Sequence, residues 1–350
     1  MIAGATFAQA QWTMQQANST ASLRGIHNVG SGVVWASGAD GTVLHTTNDG
    51  QTWRTCAVPP EAEKLDFRGI QAFDASIAIV MSSGAGGLSR LYKTTDACRT
   101  WRLVLSNPDE SGFWDAIQFT SPSFGVLIGD QVRGHFPVFF STDGGDTWQQ
   151  FDSKPTAALD KNQSFFAASN TALLIDPSNT RFYMITGGGK TSLITVNLHF
   201  TAGAICKDCL DLSYAHPELA AGETAGGFSL ASRVDGANPI MVAVGGDYKA
   251  PDKTIGTAAF WIDDRRPNAR WHASETPPHG YRSGVAYYAS SKTWITVGPN
   301  GTDVSTDDGR NWRALKPAAG EIPDADKNWN ALSLPFAVGS KGRIGKLSSR

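Results

Sequence analysis

Charge is scarce in this chain. Asp, Glu, Lys and Arg make up 18% of its 350 residues, and 30 basic against 32 acidic side chains leave a formal net charge of −2. That balance offers no electrostatic case for a nucleic-acid partner or an anionic membrane surface. Long hydrophobic runs are missing too. No stretch approaches the roughly 18 consecutive apolar residues of a membrane-spanning helix, so no transmembrane segment is expected. Cysteine is limited to four residues. What the chain does have is an apolar share of 41%, enough for a core, with 37 glycines and 11 tryptophans. Those two suit short strands, tight turns and aromatic packing.

One motif occurs four times. It reads Thr46-Thr-Asn-Asp-Gly-Gln-Thr-Trp53, Thr94-Thr-Asp-Ala-Cys-Arg-Thr-Trp101, Ser141-Thr-Asp-Gly-Gly-Asp-Thr-Trp148 and Ser305-Thr-Asp-Asp-Gly-Arg-Asn-Trp312. The step from Trp53 to Trp101 is 48 residues and from Trp101 to Trp148 is 47. A period in the forties marks a repeat architecture. The third-position carboxylate (Asp96, Asp143, Asp307) can accept the turn's own N–H groups. The fifth-position glycine (Gly50, Gly145, Gly309) can take positive φ. The closing Trp starts the next strand and can fill the gap between neighbouring sheets. Two copies depart: Asn48 replaces the aspartate and Cys98 the glycine.

A second recurrence is an apolar run, usually ending in glycine. It appears at Val33–Gly38, 77–81, Gly125–Gly129, 182–187, 240–245, Thr293–Gly298 and Phe336–Gly339. Seven such runs predict seven four-stranded blades, each buried on both faces. The last repeat stops after its third strand, 343–347. The strand around Trp12, residues 12–16, supplies the missing fourth and closes the ring, removing the open sheet edges. The expectation is an all-β, seven-bladed β-propeller over residues 11–350, read as a single domain. Residues 1–10 end in Ala8-Gln9-Ala10, the small-x-small form of a signal-peptidase site, and are read as the remnant of a secretory signal. The expected localisation is periplasmic or secreted.

The repeated motif is identified as the Asp-box, or BNR repeat, found in sialidases, xyloglucan-cleaving glycosidases and the photosystem II assembly-factor family. The phrases at 65–70, 113–117, 166–170, 244–248, 280–284 and 298–303 resemble a family of bacterial Asp-box propellers related to that assembly factor. The resemblance covers residues 11–350 and implies a propeller whose Asp-box turns lie away from its functional face. It implies a non-enzymatic scaffold for a protein partner or a small anionic ligand; a glycan is a further candidate. A monomer without cofactor or metal is expected.

On the other face the polar residues Arg24, Arg68, Trp114, Asp115, Asp130, Arg133, Glu223, Asp247, Tyr248, Tyr281 and Arg282 should gather. Leu-Arg24-Gly-Ile and Phe-Arg68-Gly-Ile place arginines at matching points of neighbouring blades, and Tyr281-Arg282-Ser-Gly offers a third. Three converging guanidiniums can hold a carboxylate. That arrangement is similar to the sialidase arginine triad. The alternative reading is therefore a sialidase-type glycoside hydrolase with Tyr281 as nucleophile, Glu223 as base and Asp115 as acid. The Arg-Ile-Pro phrase of sialidases is replaced here by Arg24-Gly25-Ile26. Cys56 and Cys98 are expected to meet across adjacent blades. Cys206 and Cys209 form a local disulfide in the first reading, remain free thiols in the second and join His199 and His216 on zinc in the third.

Overall fold

The computed structural model describes residues 11–151, 160–176, 178–201, 204–205, 211–235, 238–262, 270–317 and 319–348. The expected Cys206–Cys209 bridge and the signal remnant at 1–10 lie outside them. Seven antiparallel sheets are arranged as the blades of a propeller. The first strands touch one another in a closed cycle and form the inner ring. Blade 1 runs outward through Leu23–Gly30, Val33–Gly38, Val43–Thr46 and Arg54–Thr55. Blades 2, 3, 4 and 6 repeat the pattern from Phe67–Ala72, Trp114–Phe119, Leu173–Ile175 and Gly284–Tyr288. Blade 5 starts from the long strand Gly222–Asp235, and two short segments, Gln163–Ser164 and Gly187–Gly188, extend its inner edge toward the axis. Blade 7 joins the two ends of the chain: Gln11–Gln15 pairs antiparallel with Ile344–Ser348, placing Trp12 opposite Leu347. Among the described residues no helix is long and apolar enough to cross a membrane.

The motif's turns share one hydrogen-bond scheme. The first-position hydroxyl accepts from the fifth-position N–H, at 3.2 Å for Thr46–Gly50, 3.1 Å for Thr94–Cys98, 2.8 Å for Ser141–Gly145 and 3.0 Å for Ser305–Gly309. The third-position Oδ1 accepts from the N–H four residues on, at 2.9 to 3.0 Å in all four copies. Asn48 keeps that role through its carbonyl oxygen. Only the neighbouring bond reverses: Asn48 Nδ2 donates to Thr52 Oγ1 at 2.9 Å, whereas Thr100 Oγ1 donates to Asp96 at 2.7 Å. The fifth position is left-handed throughout, at φ 82° for Gly50 and 58° for Cys98. A Cβ on Gly145 would lie 2.2 Å from Ile79 of the preceding blade. In blade 2 the Cys98 side chain uses that gap to bond Cys56, with Cα atoms 5.3 Å apart, and ties blade 2 to the end of blade 1.

Each closing Trp packs on the blade before it. Trp53 meets Phe336 edge-on at 6.2 Å, Trp101 donates to the Ala57 carbonyl at 2.9 Å, and Trp12 donates to Thr302 at 2.9 Å. Trp312 joins Val242 and Phe260 of blade 5. These buried indoles, each worth about 3–5 kcal/mol against truncation, are the mortar of the ring. The glycines that end the second strands answer to a close approach instead. A Cβ at Gly38, Gly129, Gly298 or Gly339 would lie 1.9 to 2.3 Å from the carbonyl oxygen of Ser22, Phe113, Tyr281 or Asn328.

Candidate functional site

The same close approach fixes which inner-strand residues are equivalent. Tyr281 corresponds to Ser22, so Arg282 corresponds to Leu23 and Ser283 to Arg24. Arg282 therefore does not belong to the arginine set expected from the phrases around it. The Arg-x-Gly spacing at 282–284 is one residue longer than the Arg-Gly of blades 1 and 2, and a one-residue shift turns a strand's side chains to the other face. Arg282 is fully buried. Its Nε donates to Asp303 Oδ2 at 2.8 Å, and Nη1 donates to the Tyr281 carbonyl at 2.7 Å and to Asn300 Oδ1 at 2.5 Å. His279 Nδ1 lies 2.7 Å from the other Asp303 oxygen. Burial alone would raise the Asp303 carboxyl; the His279 hydrogen bond and the Arg282 charge overcome it and hold it below the usual range. This is a structural ion-pair network beneath the blade 6 loops.

The position next along is different in kind. In five blades the first strand carries a β-bulge there, and the extra residues are Arg24, Arg68, Asp115, Phe228 and Asn330. A bulge aims its unpaired residue out of the ladder. Arg24, Arg68, Phe228 and Asn330 line a cavity of about 310 Å³, with Phe166, Tyr248 and Tyr281 completing its wall. Both arginines are 28% exposed and share one carboxylate: Asp66 Oδ2 lies 2.7 Å from Arg68 Nε and 3.9 Å from Arg24 Nε. Two guanidiniums against one carboxylate leave the mouth with an excess of one positive charge. Burial, and then repulsion from Arg68, lower the Arg24 guanidinium from its ordinary value, while Asp66 and Tyr281 act against that.

Aromatic rings face the arginine pair. Phe166 stacks on Phe228 with centroids 4.1 Å apart, Tyr281 meets Phe228 edge-on at 4.7 Å, and Tyr248 stands over both phenylalanines at 6.2 and 6.3 Å. Two of the expected acids hold this wall in place. Asp130 accepts from the Phe165 N–H at 2.7 Å and so anchors the segment bearing Phe166. Asp247 accepts from Thr224 Oγ1 at 2.7 Å and from the Lys249 N–H at 3.0 Å, fixing the turn that carries Tyr248.

The remaining candidates are elsewhere. Arg133, at φ 53°, lines a separate cleft with Phe136 and Phe151. Glu223 is exposed on its strand, outside the set of residues lining the funnel. Asp115 occupies a bulge position but is fully buried, and neither carboxylate oxygen meets a hydrogen-bond partner among the described residues. Burial, then the nearby Asp130, push it well above the ordinary carboxylate range, with Arg68 opposing. Burial likewise raises Asp130 to about 6, against its bond from Phe165. Tyr281 is buried and its phenol raised for the same reason. The three arginines of a sialidase-type triad do not converge, and its intended acid sits beneath the floor. Among the described residues no group of three or more His, Cys, Asp or Glu could hold a metal ion. Asp66, Phe166, Phe228 and Asn330 were absent from the sequence-based set. Counting back from the second-strand glycine would have found Phe228 and Asn330; Phe166 arrives from the blade 5 extension, which leaves no repeat signal.

Fold and mouth together define a seven-bladed β-propeller with a cationic, aromatic-walled funnel on its axis. No protein-family model and no curated protein matches the chain. Among solved structures it is similar to YCF48 bound to D1 peptide, at 15% identity and TM-score 0.62, covering 97% of both chains. It is similar to YCF48 from Cyanidioschyzon merolae, at 15% identity and TM-score 0.63, covering 97% of this chain and 99% of that one. The WD40 β-propeller domain of Doa1 matches at 9% identity and TM-score 0.61, covering 98% of each. At these identities the likeness concerns the fold.

Proposed function

We propose that this protein is an exported, non-enzymatic scaffold whose axial funnel holds an acidic segment of a partner protein. One observation carries the reading: Arg24 and Arg68, half-buried and sharing a single carboxylate, line a cavity of about 310 Å³ together with the stacked Phe166–Phe228 pair and the edge-on ring of Tyr281. A carboxylate can bridge the two guanidiniums while an adjoining apolar side chain lies on the rings. One of the similar propellers has been solved with a peptide bound, which supports a peptide as the kind of ligand. The Cys56–Cys98 bond supports an oxidising compartment.

The test is a panel of acidic peptides carrying a free or an amidated C-terminus, titrated by fluorescence anisotropy at two salt concentrations. Binding should weaken with salt. It should fall at least about tenfold in the Arg24→Ala/Arg68→Ala variant, the equivalent of about 1.4 kcal/mol, with an unchanged melting curve. Equal binding by wild type and variant would reject the reading. Thiol titration of denatured, unreduced protein from its native host addresses export: a free Cys56 and Cys98 would count against it.

A further inference from the structure

The interfaces between blades are closed by apolar side chains at a fixed level, such as Val126 beside Phe140 on blade 3 and Val242 beside Phe260 on blade 5. Blade 4 breaks that rule. Its corresponding pair is Tyr183 beside Thr195, followed across the ladder by Ser213. The next rung outward pairs Arg181 with Asn197. Blade 5 replies with the row Met241, Trp261 and Trp271. Trp271 is buried against Ile185 and Leu193, while Trp261 stays partly open. Between the two faces lies a groove of about 760 Å³, open to solvent and more than twice the volume of the funnel.

The chemistry of the two walls is split. One offers indole and thioether surface. The other offers short hydroxyls and an amide, and Thr195, Asn197 and Ser213 make no side-chain hydrogen bond with any other described residue. The ionic groups of the lining are Arg181, Arg270 and Glu218, two cations against one anion.

We propose that the groove between blades 4 and 5 binds a short oligosaccharide. A sugar ring presents an apolar C–H face and a rim of hydroxyls that both donate and accept. The partly exposed indole of Trp261 suits the first, and Thr195, Asn197 and Ser213 suit the second. The volume is that of a small-ligand site, on the order of 300–1,000 Å³. An aliphatic ligand would strand the hydroxyl row without partners. This site is independent of the axial funnel.

Intrinsic tryptophan fluorescence and calorimetry on the full chain provide the test, with cellotetraose, maltotetraose and chitotetraose as probes. One of the three should saturate a single site with a Kd between about micromolar and millimolar. Trp261→Ala should weaken it at least about tenfold and Trp261→Phe should restore part of the loss. Thr195→Val and Asn197→Ala should each weaken it about threefold to tenfold, in keeping with a neutral hydrogen bond. Arg24→Ala/Arg68→Ala should leave it unchanged. The proposal falls if none of the three sugars saturates, if binding survives both Trp261→Ala and Thr195→Val in folded protein, or if it is lost with the funnel arginines.

Discussion

Arg24 and Arg68 on one side and Arg282 on the other come from nearly identical phrases, yet they have opposite duties. The first two sit on bulges, aim into the funnel and share one half-exposed acid. Arg282 occupies the ladder position before the bulge, is wholly buried, and meets Asp303, Asn300 and a backbone carbonyl. A single residue of register separates a side chain free to meet a ligand from one that staples loops together. The difference teaches that in this fold chemistry follows the bulge, whatever residue type occupies it.

The strongest way to break this comparison is to remove Arg282. Arg282→Ala leaves the Asp303 carboxylate buried without its main partner, and loss of about 3–5 kcal/mol is expected. Urea titration should show it as a drop in midpoint, with peptide binding restored wherever the protein is folded. A stability change under about 1 kcal/mol together with lost peptide binding would reverse the assignment and return Arg282 to the site.

Much of the architecture was readable in the residues. The four copies of the turn motif, the seven apolar runs and the orphan strand around Trp12 define blade number and ring closure, because those signals come from local turn chemistry and packing. The Cys56–Cys98 contact followed from the repeat as well: a cysteine in a left-handed glycine position points at the neighbouring blade. The candidate site was legible only in part. Arg24 and Arg68 were found because blades 1 and 2 share the phrase Arg-Gly-Ile. Arg282 was misplaced because spacing to a glycine is a poor guide to register when a bulge intervenes. Asp66, which neutralises half the mouth, and Phe166, which arrives from an extension of another blade, depend on tertiary placement that no periodicity encodes.

Asp115 sharpens the comparison from below, since it is a buried bulge residue that does not line the funnel. An acid whose folded pKa is raised holds its proton longer in the folded state than in the unfolded chain. Its own contribution to stability is then greatest at acid pH and falls as pH rises. For Asp130 the window runs from about 3.8 to about 6, and Asp115 extends it upward. Asp115→Asn removes the burial of charge, so the variant should be more stable than wild type by about 1–3 kcal/mol at pH 8. The gain should shrink toward pH 4. Melting temperatures across that range decide it: a variant less stable at pH 8 would mean that the ionised carboxylate is held by a partner such as Arg68.

The smallest expected effect is also the most direct probe of the bulge rule. Asn330 holds the bulge position of blade 7, next to Arg24 of blade 1, and its Nδ2 donates to the Leu23 carbonyl at 2.8 Å. Asn330→Arg gives up that bond, worth about 1 kcal/mol, and places a third guanidinium on the funnel wall. If bulge residues face the ligand, an acidic peptide should bind about threefold to tenfold more tightly, with a steeper salt dependence, as one added charge-assisted contact would give. Arginine placed instead at 283, the bulge-equivalent position of blade 6, which is buried although it lines the funnel, should cost stability. A variant at 330 that folds and binds the peptide no better than wild type, at low salt, would show that position on the ring does not determine access to the ligand.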